Sequence, residues 1–150
     1  MLWGPGAALA TPPKDYASQS TRSLFATIGL AGSVDATGHA RIRIVAEVPT
    51  DVYIVTNTVE PRGYSGWHTH SGPSLVLVKS GTATVYDGDD PNCTPATYPA
   101  GTGFVDAGGG HVHMVRNAGD VRLELIAVQM IPDGSERRIE SPDPGFCPKL

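Results

Sequence analysis

Two histidines, two positions apart, stand just before an apolar, β-branched run of the sequence. His68 and His70 precede the run Ser74 to Val78, which ends at the turn signal Ser80-Gly81. Side chains alternate between the two faces of a strand, so residues i and i+2 point the same way. Neutral imidazole is the commonest protein ligand for a borderline divalent metal ion, so the two rings could bind one ion. An isolated pair of this kind also fits two exposed polar residues at the end of a strand.

A second histidine pair follows the run Gly108-Gly109-Gly110. If a strand spans His111 to Val115, the side chains of His111 and His113 share one of its faces. His111 is either a further ligand or a residue of the rim, hydrogen-bonded to backbone or water. His39 precedes the first of the predicted strands in a glycine-containing loop and is expected to be an ordinary surface residue.

The first histidine stretch resembles the first motif of the cupin superfamily. That motif has a glycine, an H-x-H pair, a glutamate three or four residues later and a glycine at the next turn, and the matching residues here are His68, His70 and Gly81. The opening glycine falls one place late, at Gly63. The glutamate position is occupied by Ser74 or Leu75, and no acidic residue lies between the pair and Gly81. The resemblance therefore implies a site without the carboxylate ligand of the family.

The second motif is also recognisable, in a stretched form. Pro99-Ala100-Gly101 matches its opening, and His113 with Asn117 matches its end, but the long segment Thr102 to Val112 intervenes. Cys93 stands where the family has an earlier glycine. The resemblance covers roughly Val45 to Ile131 and implies an all-β fold, an antiparallel jelly-roll barrel of the cupin type. It also implies a metal ion held by His68, His70 and His113.

Three neutral ligands would leave the ion at its full charge of about +2, which favours a bound hydroxide or an anionic substrate. By resemblance to three-histidine cupins such as thiol dioxygenases and β-diketone-cleaving dioxygenases, the first hypothesis is an iron-dependent oxygenase acting on a small chelating substrate. Zinc, manganese, nickel and copper are alternative metals. Two other functions stay open. One is an exported binding module without catalysis. The other is a lyase or hydrolase that contains zinc or manganese and uses metal-bound hydroxide as its base. A barrel with hydrogen-bonded histidines and no metal is the remaining alternative. The resemblance also implies a homodimer.

Composition supports a small β-protein. The 150 residues, of which 40% are hydrophobic, suit one domain, and 18 glycines with 13 prolines favour short strands joined by turns. A net charge of −4 argues against a nucleic-acid ligand, because no stripe of Lys and Arg would neutralise phosphates. No apolar run is long enough to span a bilayer. The sequence contains no Cys-x-x-Cys, P-loop, G-x-G-x-x-G or G-x-S-x-G motif.

Alternation of apolar and polar residues predicts the strands that would carry the histidines. Thr82 to Tyr86 is expected to form a hairpin with the first histidine strand across Ser80-Gly81. Ser18 to Leu30 fits a short helix or a strand equally well. Gln129 falls on the same face as Leu123 and Leu125, so we expect it inside the barrel, either lining the pocket or bonded to backbone. The other predicted strands are Arg41 to Val48, Val52 to Val59 (ended by Pro61-Arg62-Gly63), Gly103 to Ala107 and Val121 to Ile131.

The two cysteines lie in Pro-rich loop segments. Free cysteines prefer burial, so Cys93 and Cys147 are expected to form a disulfide that holds the C-terminal tail. A disulfide favours a secreted or periplasmic location over a cytoplasmic one. Residues 1–17 are expected to be a flexible arm or the remnant of a signal peptide, since Ala8-Leu9-Ala10 resembles a cleavage site. Residues 18–150 would form one barrel domain with the tail wrapped around it.

Overall fold

A computed structural model describes residues 10–31 and 43–147 of the chain. This part of the chain contains strands, turns and bends, and no helix in it is long and apolar enough to cross a membrane. The strands are β1 (Lys14–Phe25), β2 (Ile28–Ala31), β3 (Arg43–Ala46), β4 (Thr50–Tyr64), β5 (His68–Thr69), β6 (Ser74–Ser80), β7 (Thr82–Asp87), β8 (Ala96–Pro99), β9 (Gly103–Asp106), β10 (His113–Arg116), β11 (Leu123–Pro132) and β12 (Ile139–Glu140).

Ten of these strands form one antiparallel sheet that folds over on itself as a nearly closed barrel. One half has the order β1-β4-β11-β6-β9, and the other contains β12, β5, β10, β7 and β8. The halves are joined where Tyr64, at the end of β4, pairs with Arg116 of β10. Strands β2 and β3 form a separate two-stranded sheet. The predicted all-β antiparallel barrel of the jelly-roll type is confirmed.

The hydrophobic core lies between the two halves of the sheet. Along β11, side chains alternate strictly between buried and half-buried positions, with Leu123, Leu125, Ala127, Gln129 and Ile131 pointing inward. Full burial of a Val or Leu side chain contributes about 1.5–3 kcal/mol, so this cluster is the main source of stability. The core cluster consists of Val55, Val59, Val76, Val78, Ala83, Val115, Leu123, Leu125 and Ala127.

Strand β4 continues past the point where the sequence predicts its end. The prediction that Pro61-Arg62-Gly63 ends this strand is wrong, because β4 extends to Tyr64. Arg62 adopts a φ of +68°, which bends the strand. The backbone N–H of Arg62 donates to the Asn117 carbonyl at 2.9 Å, and the N–H of Asn117 donates to the Gly63 carbonyl at 2.9 Å. The irregular residues keep their hydrogen bonds, so the turn-forming sequence produces a bulge.

Strands β6 and β7 do not form the predicted hairpin. β6 pairs with β9 and β11, whereas β7 pairs with β8 and β10 in the other half of the sheet. Gly81, at a φ of +77°, carries the chain from one half to the other, and a Cβ there would lie 2.9 Å from the carbonyl oxygen of Arg122. A tight Ser-Gly turn serves a hairpin and a crossing between sheets equally well, so the local sequence could not distinguish them.

The segment that fitted either a helix or a strand is a strand. β1 begins at Lys14, so the last residues of the expected arm, residues 1–17, take part in the sheet through pairing with β4. Residues 1–9 lie outside the described part of the chain, as does His39. Arg41 to Val48 contributes β3, which pairs with β2 outside the barrel.

After β11 the chain returns across the end of the barrel that carries the histidines, and we call residues 133–147 the C-terminal arm. Its strand β12 pairs with β5, and the N–H of Ser141 donates to the carbonyl of Trp67 at 2.9 Å. Cys147 forms a disulfide with Cys93, with 5.3 Å between the two Cα atoms. The arm is therefore held both by backbone pairing and by a covalent bond.

Asn117 ties three backbone groups together although it lies next to the second histidine stretch. Its Nδ2 donates to the carbonyls of Val59 (2.9 Å) and Val121 (2.8 Å), and its Oδ1 accepts from the N–H of Gly119 at 3.1 Å. We expect Asn117→Ala to lower the free energy of unfolding by about 2–3 kcal/mol, because these buried groups lose their partners. Urea unfolding measures the change. Asn92→Ala, at an exposed loop position, is the control, and equal stability of the two variants would contradict the prediction.

Candidate metal centre

Three buried imidazoles meet at one end of the barrel. His68 lies on β5 and is the cross-strand partner of His113 on β10, with ring centroids 4.3 Å apart. His70 follows β5, and its ring centroid lies 5.0 Å from that of His68 and 5.5 Å from that of His113. One ring nitrogen of each residue lies within 4.8 Å of the others. Strand pairing and the H-x-H spacing thus bring the three rings together.

Backbone carbonyls fix the orientation of the three rings. The carbonyl oxygen of Gly66 lies 2.9 Å from Nδ1 of His68, and that of Arg137 in the C-terminal arm lies 2.5 Å from Nδ1 of His70. The carbonyl of His111 lies 3.5 Å from Nδ1 of His113. A carbonyl can only accept a hydrogen bond, so each Nδ1 carries the proton and each Nε2 keeps a free lone pair. A histidine that donates one ring N–H in this way has its other nitrogen aimed at a metal.

The histidines line a cavity of about 30 Å³, and side chains of the hydrophobic core form another part of its wall. Gln129 projects into it from β11, with its amide nitrogen 3.1 Å from Oγ of Ser74 and 3.4 Å from both ring nitrogens of His70. Oε1 of Gln129 accepts from Nη1 of Arg137 at 2.9 Å, so the buried amide has partners at both ends. The remaining lining residues are Tyr16, Asn57, Ser65, Val76, Phe104, Asp106, Val115, Leu125 and Ala127.

No protein-family model matches the sequence, and no curated protein matches it. Solved structures do resemble the fold. A protein with a double-stranded β-helix domain from Klebsiella pneumoniae has a TM-score of 0.51 at 20% identity, over 61% of this chain and 70% of that one. An oxalate decarboxylase from Lactobacillus farciminis, in complex with formate, has a TM-score of 0.51 at 20% identity, over 59% of this chain and 26% of its own. A cupin domain from Bordetella pertussis has a TM-score of 0.46 at 16% identity, over 69% of this chain and 92% of that one. The two structures with TM-scores of 0.51 support the fold: the chain is a cupin-like barrel.

Within this cupin fold, burial keeps the three histidines neutral. Burial, and secondarily the neighbouring His113 and Arg138, lower the pKa of His68 well below its usual value. Burial lowers the pKa of His113 to about 4, although the Asp106 carboxylate opposes the shift, and burial also lowers the pKa of His70. Neutral imidazoles need not release a proton to bind a cation. The donor set, three buried neutral nitrogens around a small cavity, therefore fits a borderline transition-metal ion.

His111 lies at the rim of the cupin barrel, where its ring stacks on that of His113 at a centroid distance of 5.9 Å and forms, with Asp106 and His113, a second group of possible metal ligands. Strand β10 begins at His113, so His111 precedes it in a loop and its side chain is one-third exposed. Its Nε2 lies 3.2 Å from Oδ2 of Asp87, and its Nδ1 lies 3.4 Å from Oδ1 of Asp106. Burial lowers the pKa of His111, but the hydrogen bonds and charges of the two carboxylates outweigh it and raise the pKa overall.

Asp106 is a residue of this site that the sequence analysis missed. It ends β9 and is 3% exposed. Its Oδ2 lies 3.9 Å from Nε2 of His70, and its Oδ1 lies 3.6 Å from Nδ1 of His113. The first-motif position still lacks the carboxylate of the family, but β9 brings a different carboxylate next to the histidines. Alternation along β9 puts Asp106 on the inward face with Phe104, and that signal was available in the sequence.

The lowered pKa values of the three buried histidines predict that the metal-free protein loses stability in mild acid. Unfolded histidines take up protons near pH 6.5, whereas buried His113 does so only near pH 4. Between these values the unfolded state binds more protons, so stability is complete above about pH 6.5 and falls as the pH falls. We expect His113 alone to contribute a loss of about 2 kcal/mol between pH 7 and pH 5.

Urea unfolding of the metal-free protein at several pH values measures this effect. His113→Gln should show a smaller loss between pH 7 and pH 5. His111→Gln, which removes a histidine whose pKa is raised, should keep the full loss or increase it slightly. Equal stability of the wild-type protein at both pH values would contradict the prediction.

Proposed function

We propose that this cupin holds one divalent transition-metal ion with Nε2 of His68, His70 and His113. One observation carries the proposal: each Nδ1 faces a backbone carbonyl, while the three rings converge on one buried cavity. Three imidazoles with fixed orientation form a donor set that suits iron, zinc, copper or nickel. Core side chains beneath the cavity exclude water, and Gln129 with Arg137 keeps the ring of His70 in place.

We propose that the ion is used on a small chelating substrate, with iron-dependent oxygenation as the leading chemistry. Bound at this site, the metal would supply Lewis-acid or redox chemistry. In this chemistry the role of the three histidines is to bind the ion and to hold it in the cavity. A cavity of about 30 Å³ is far below the roughly 300–1,000 Å³ typical of sites for drug-sized ligands, so the reactant should have few heavy atoms.

The cavity volume supports a second candidate, a manganese or zinc lyase. An oxygenase must accommodate both dioxygen and its organic substrate beside the metal, whereas a lyase needs space for one reactant. The oxalate decarboxylase of similar fold acts, by its name, on a small dicarboxylate. A non-catalytic metal-binding module is the third candidate, and the small volume of the cavity favours it over a module for a larger ligand.

Elemental analysis of protein purified without an affinity tag tests the site and separates these candidates. One equivalent of iron, with oxygen uptake upon addition of small keto acids, thiols or diketones, supports the oxygenase. One equivalent of manganese or zinc, with loss of carbon dioxide from small dicarboxylates, supports the lyase. A metal without turnover in either assay supports the binding module. Absence of stoichiometric metal, together with failure to bind added Co²⁺, Fe²⁺, Mn²⁺ or Zn²⁺, would overturn the proposal.

We further propose that the protein functions in an oxidising compartment outside the cytoplasm. The disulfide between Cys93 and Cys147 supports this location, because such bonds rarely persist in the reducing cytoplasm.

The homodimer expected by resemblance stays a prediction. It is compatible with the apolar side chains on the outer face of the sheet, and sedimentation analysis tests it. These exposed residues include Ile54, Leu75, Leu77 and Val105.

A further inference from the structure

We propose that Asp106 supplies a fourth, carboxylate ligand to the metal centre from strand β9. The inference rests on the proposed three-histidine site and adds to it a residue that the cupin-like spacing of the sequence does not select. Two independent features carry it. One is the register of β9 against β6, and the other is a buried carboxylate oxygen that faces His70.

Register puts Asp106 beside the position where the first motif lacks its acidic residue. Of the two residues at that position, Ser74 is buried and Leu75 is exposed, and Ser74 is the antiparallel partner of Asp106 on β9. Directly opposite residues of neighbouring strands project from the same face, with Cβ atoms about 4.5–5.5 Å apart. A carboxylate at Asp106 therefore enters the same space that a side chain at Ser74 would enter, and both residues line the cavity.

The two oxygens of Asp106 have different surroundings. Oδ1 accepts a hydrogen bond from the N–H of Gly108 at 3.1 Å and lies 3.4 Å from Nδ1 of His111. Oδ2 is buried and has no hydrogen-bond partner within the described part of the chain, yet it lies 3.9 Å from Nε2 of His70. A buried, unpaired carboxylate oxygen is costly. A cation bound to the free nitrogen of His70 would satisfy it.

The triple-glycine run couples the position of Asp106 to that of His70. Gly108 has a φ of +64°, and a Cβ at this residue would collide with the carbonyl oxygen of Gly72. The next residue, Gly109, donates its N–H to the carbonyl of His70 at 2.8 Å. The chain after β9 is thus fastened directly to the backbone of a proposed ligand, which preorganises the carboxylate next to it.

A carboxylate ligand changes the chemistry expected of the site. Three imidazoles leave a divalent ion at a charge of about +2, and one carboxylate lowers this to about +1. The lower charge weakens the preference for an anionic reactant. Mixed imidazole and carboxylate donors also extend the range of metals to manganese, and they remain suited to the iron of non-haem oxygenases.

Titration with Co²⁺ in competition with a chromophoric chelator, together with the visible absorption spectrum of bound Co²⁺, tests the inference. Asp106→Asn keeps the shape of the side chain and the acceptor for the Gly108 N–H. We expect it to weaken Co²⁺ binding by more than about 100-fold and to change the absorption spectrum, because a direct ligand is lost, whereas loss of a group that only contacts a ligand typically costs about 10- to 100-fold. Thermal unfolding of the metal-free variant shows whether the fold is kept.

A cross-strand exchange separates ligation from a mere charge contact with His111 or His113. The double variant Ser74→Asp/Asp106→Ser moves the carboxylate to the neighbouring strand, and we expect it to recover most of the affinity lost in Asp106→Ser. His111→Gln, which removes the contact between His111 and Asp106, should weaken Co²⁺ binding less than Asp106→Asn does and leave the absorption spectrum of bound Co²⁺ unchanged, because no ligand is lost. No recovery by the exchange, with a wild-type spectrum in Asp106→Asn, would overturn the inference.

The outcomes also distinguish failure of this inference from failure of the proposed function. If His68→Ala abolishes Co²⁺ binding while Asp106→Asn binds within about twofold of the wild-type protein, the three-histidine site stands and the carboxylate ligand is rejected. If the wild-type protein does not bind Co²⁺, Fe²⁺, Mn²⁺ or Zn²⁺, both proposals are rejected together.

Discussion

The variants His68→Ala and His113→Ala are expected to be purified without stoichiometric metal, and the double variant should contain none. The two residues are cross-strand partners with ring centroids 4.3 Å apart, so each loss removes a donor from the middle of the site. Removal of a group that is only hydrogen-bonded to a metal ligand typically costs about 10- to 100-fold in affinity. Loss of a direct ligand should therefore cost more than about 100-fold.

Elemental analysis of tag-free protein, followed by titration of the metal-free form, measures both effects. His111→Ala is the matched control, because this histidine lies two positions before His113 but has its ring nitrogens against Asp87 and Asp106. Its metal content should equal that of the wild-type protein. Full metal content in His68→Ala/His113→Ala would contradict the site, whereas loss in His111→Ala would show that the rim takes part in binding.

Removal of the disulfide should have the second large effect. The bond joins residues 54 positions apart, and the loop-closure model gives a loss of about 4 kcal/mol when such a link is removed. Cys93→Ser/Cys147→Ser should therefore unfold at a markedly lower urea concentration than the wild-type protein. Metal affinity should fall as well, because the freed C-terminal arm carries the Arg137 carbonyl that orients His70.

Urea unfolding with and without dithiothreitol checks this expectation. The wild-type protein should become as unstable as the double serine variant upon reduction, and the variant itself should not respond to the reductant. Arg137→Ala is the companion variant. It removes the hydrogen bond from the Arg137 side chain to Gln129 but keeps the backbone carbonyl that orients His70. An unchanged unfolding midpoint after reduction would contradict the role of the disulfide.

The fold was predictable where a local pattern determines it. The alternation along β11 identifies the inward face, and turn residues with β-branched runs identify an all-β chain. The partner of each strand was less predictable. Gly81 begins a crossing between the halves of the sheet, and Pro61-Arg62-Gly63 forms a bulge, because distant backbone groups decide both outcomes.

The candidate site was predictable only where the spacing of residues along one segment determines it. The spacing of His68 and His70 implies convergence, and the motif resemblance adds His113. Asp106 was missed because its proximity depends on the pairing of β9 with β6, and register between strands does not appear in the spacing of residues along one segment.

The C-terminal arm has a consequence for the order in which the protein matures. Residues 137–141, which carry the carbonyl that orients His70 and the strand that pairs with β5, follow every histidine in the chain. Synthesis proceeds from the N-terminus, so all the proposed ligands emerge before the segment that completes their surroundings. Tight metal binding should therefore begin only once the C-terminal arm has docked and the disulfide has formed, because the ring of His70 takes its orientation from that arm.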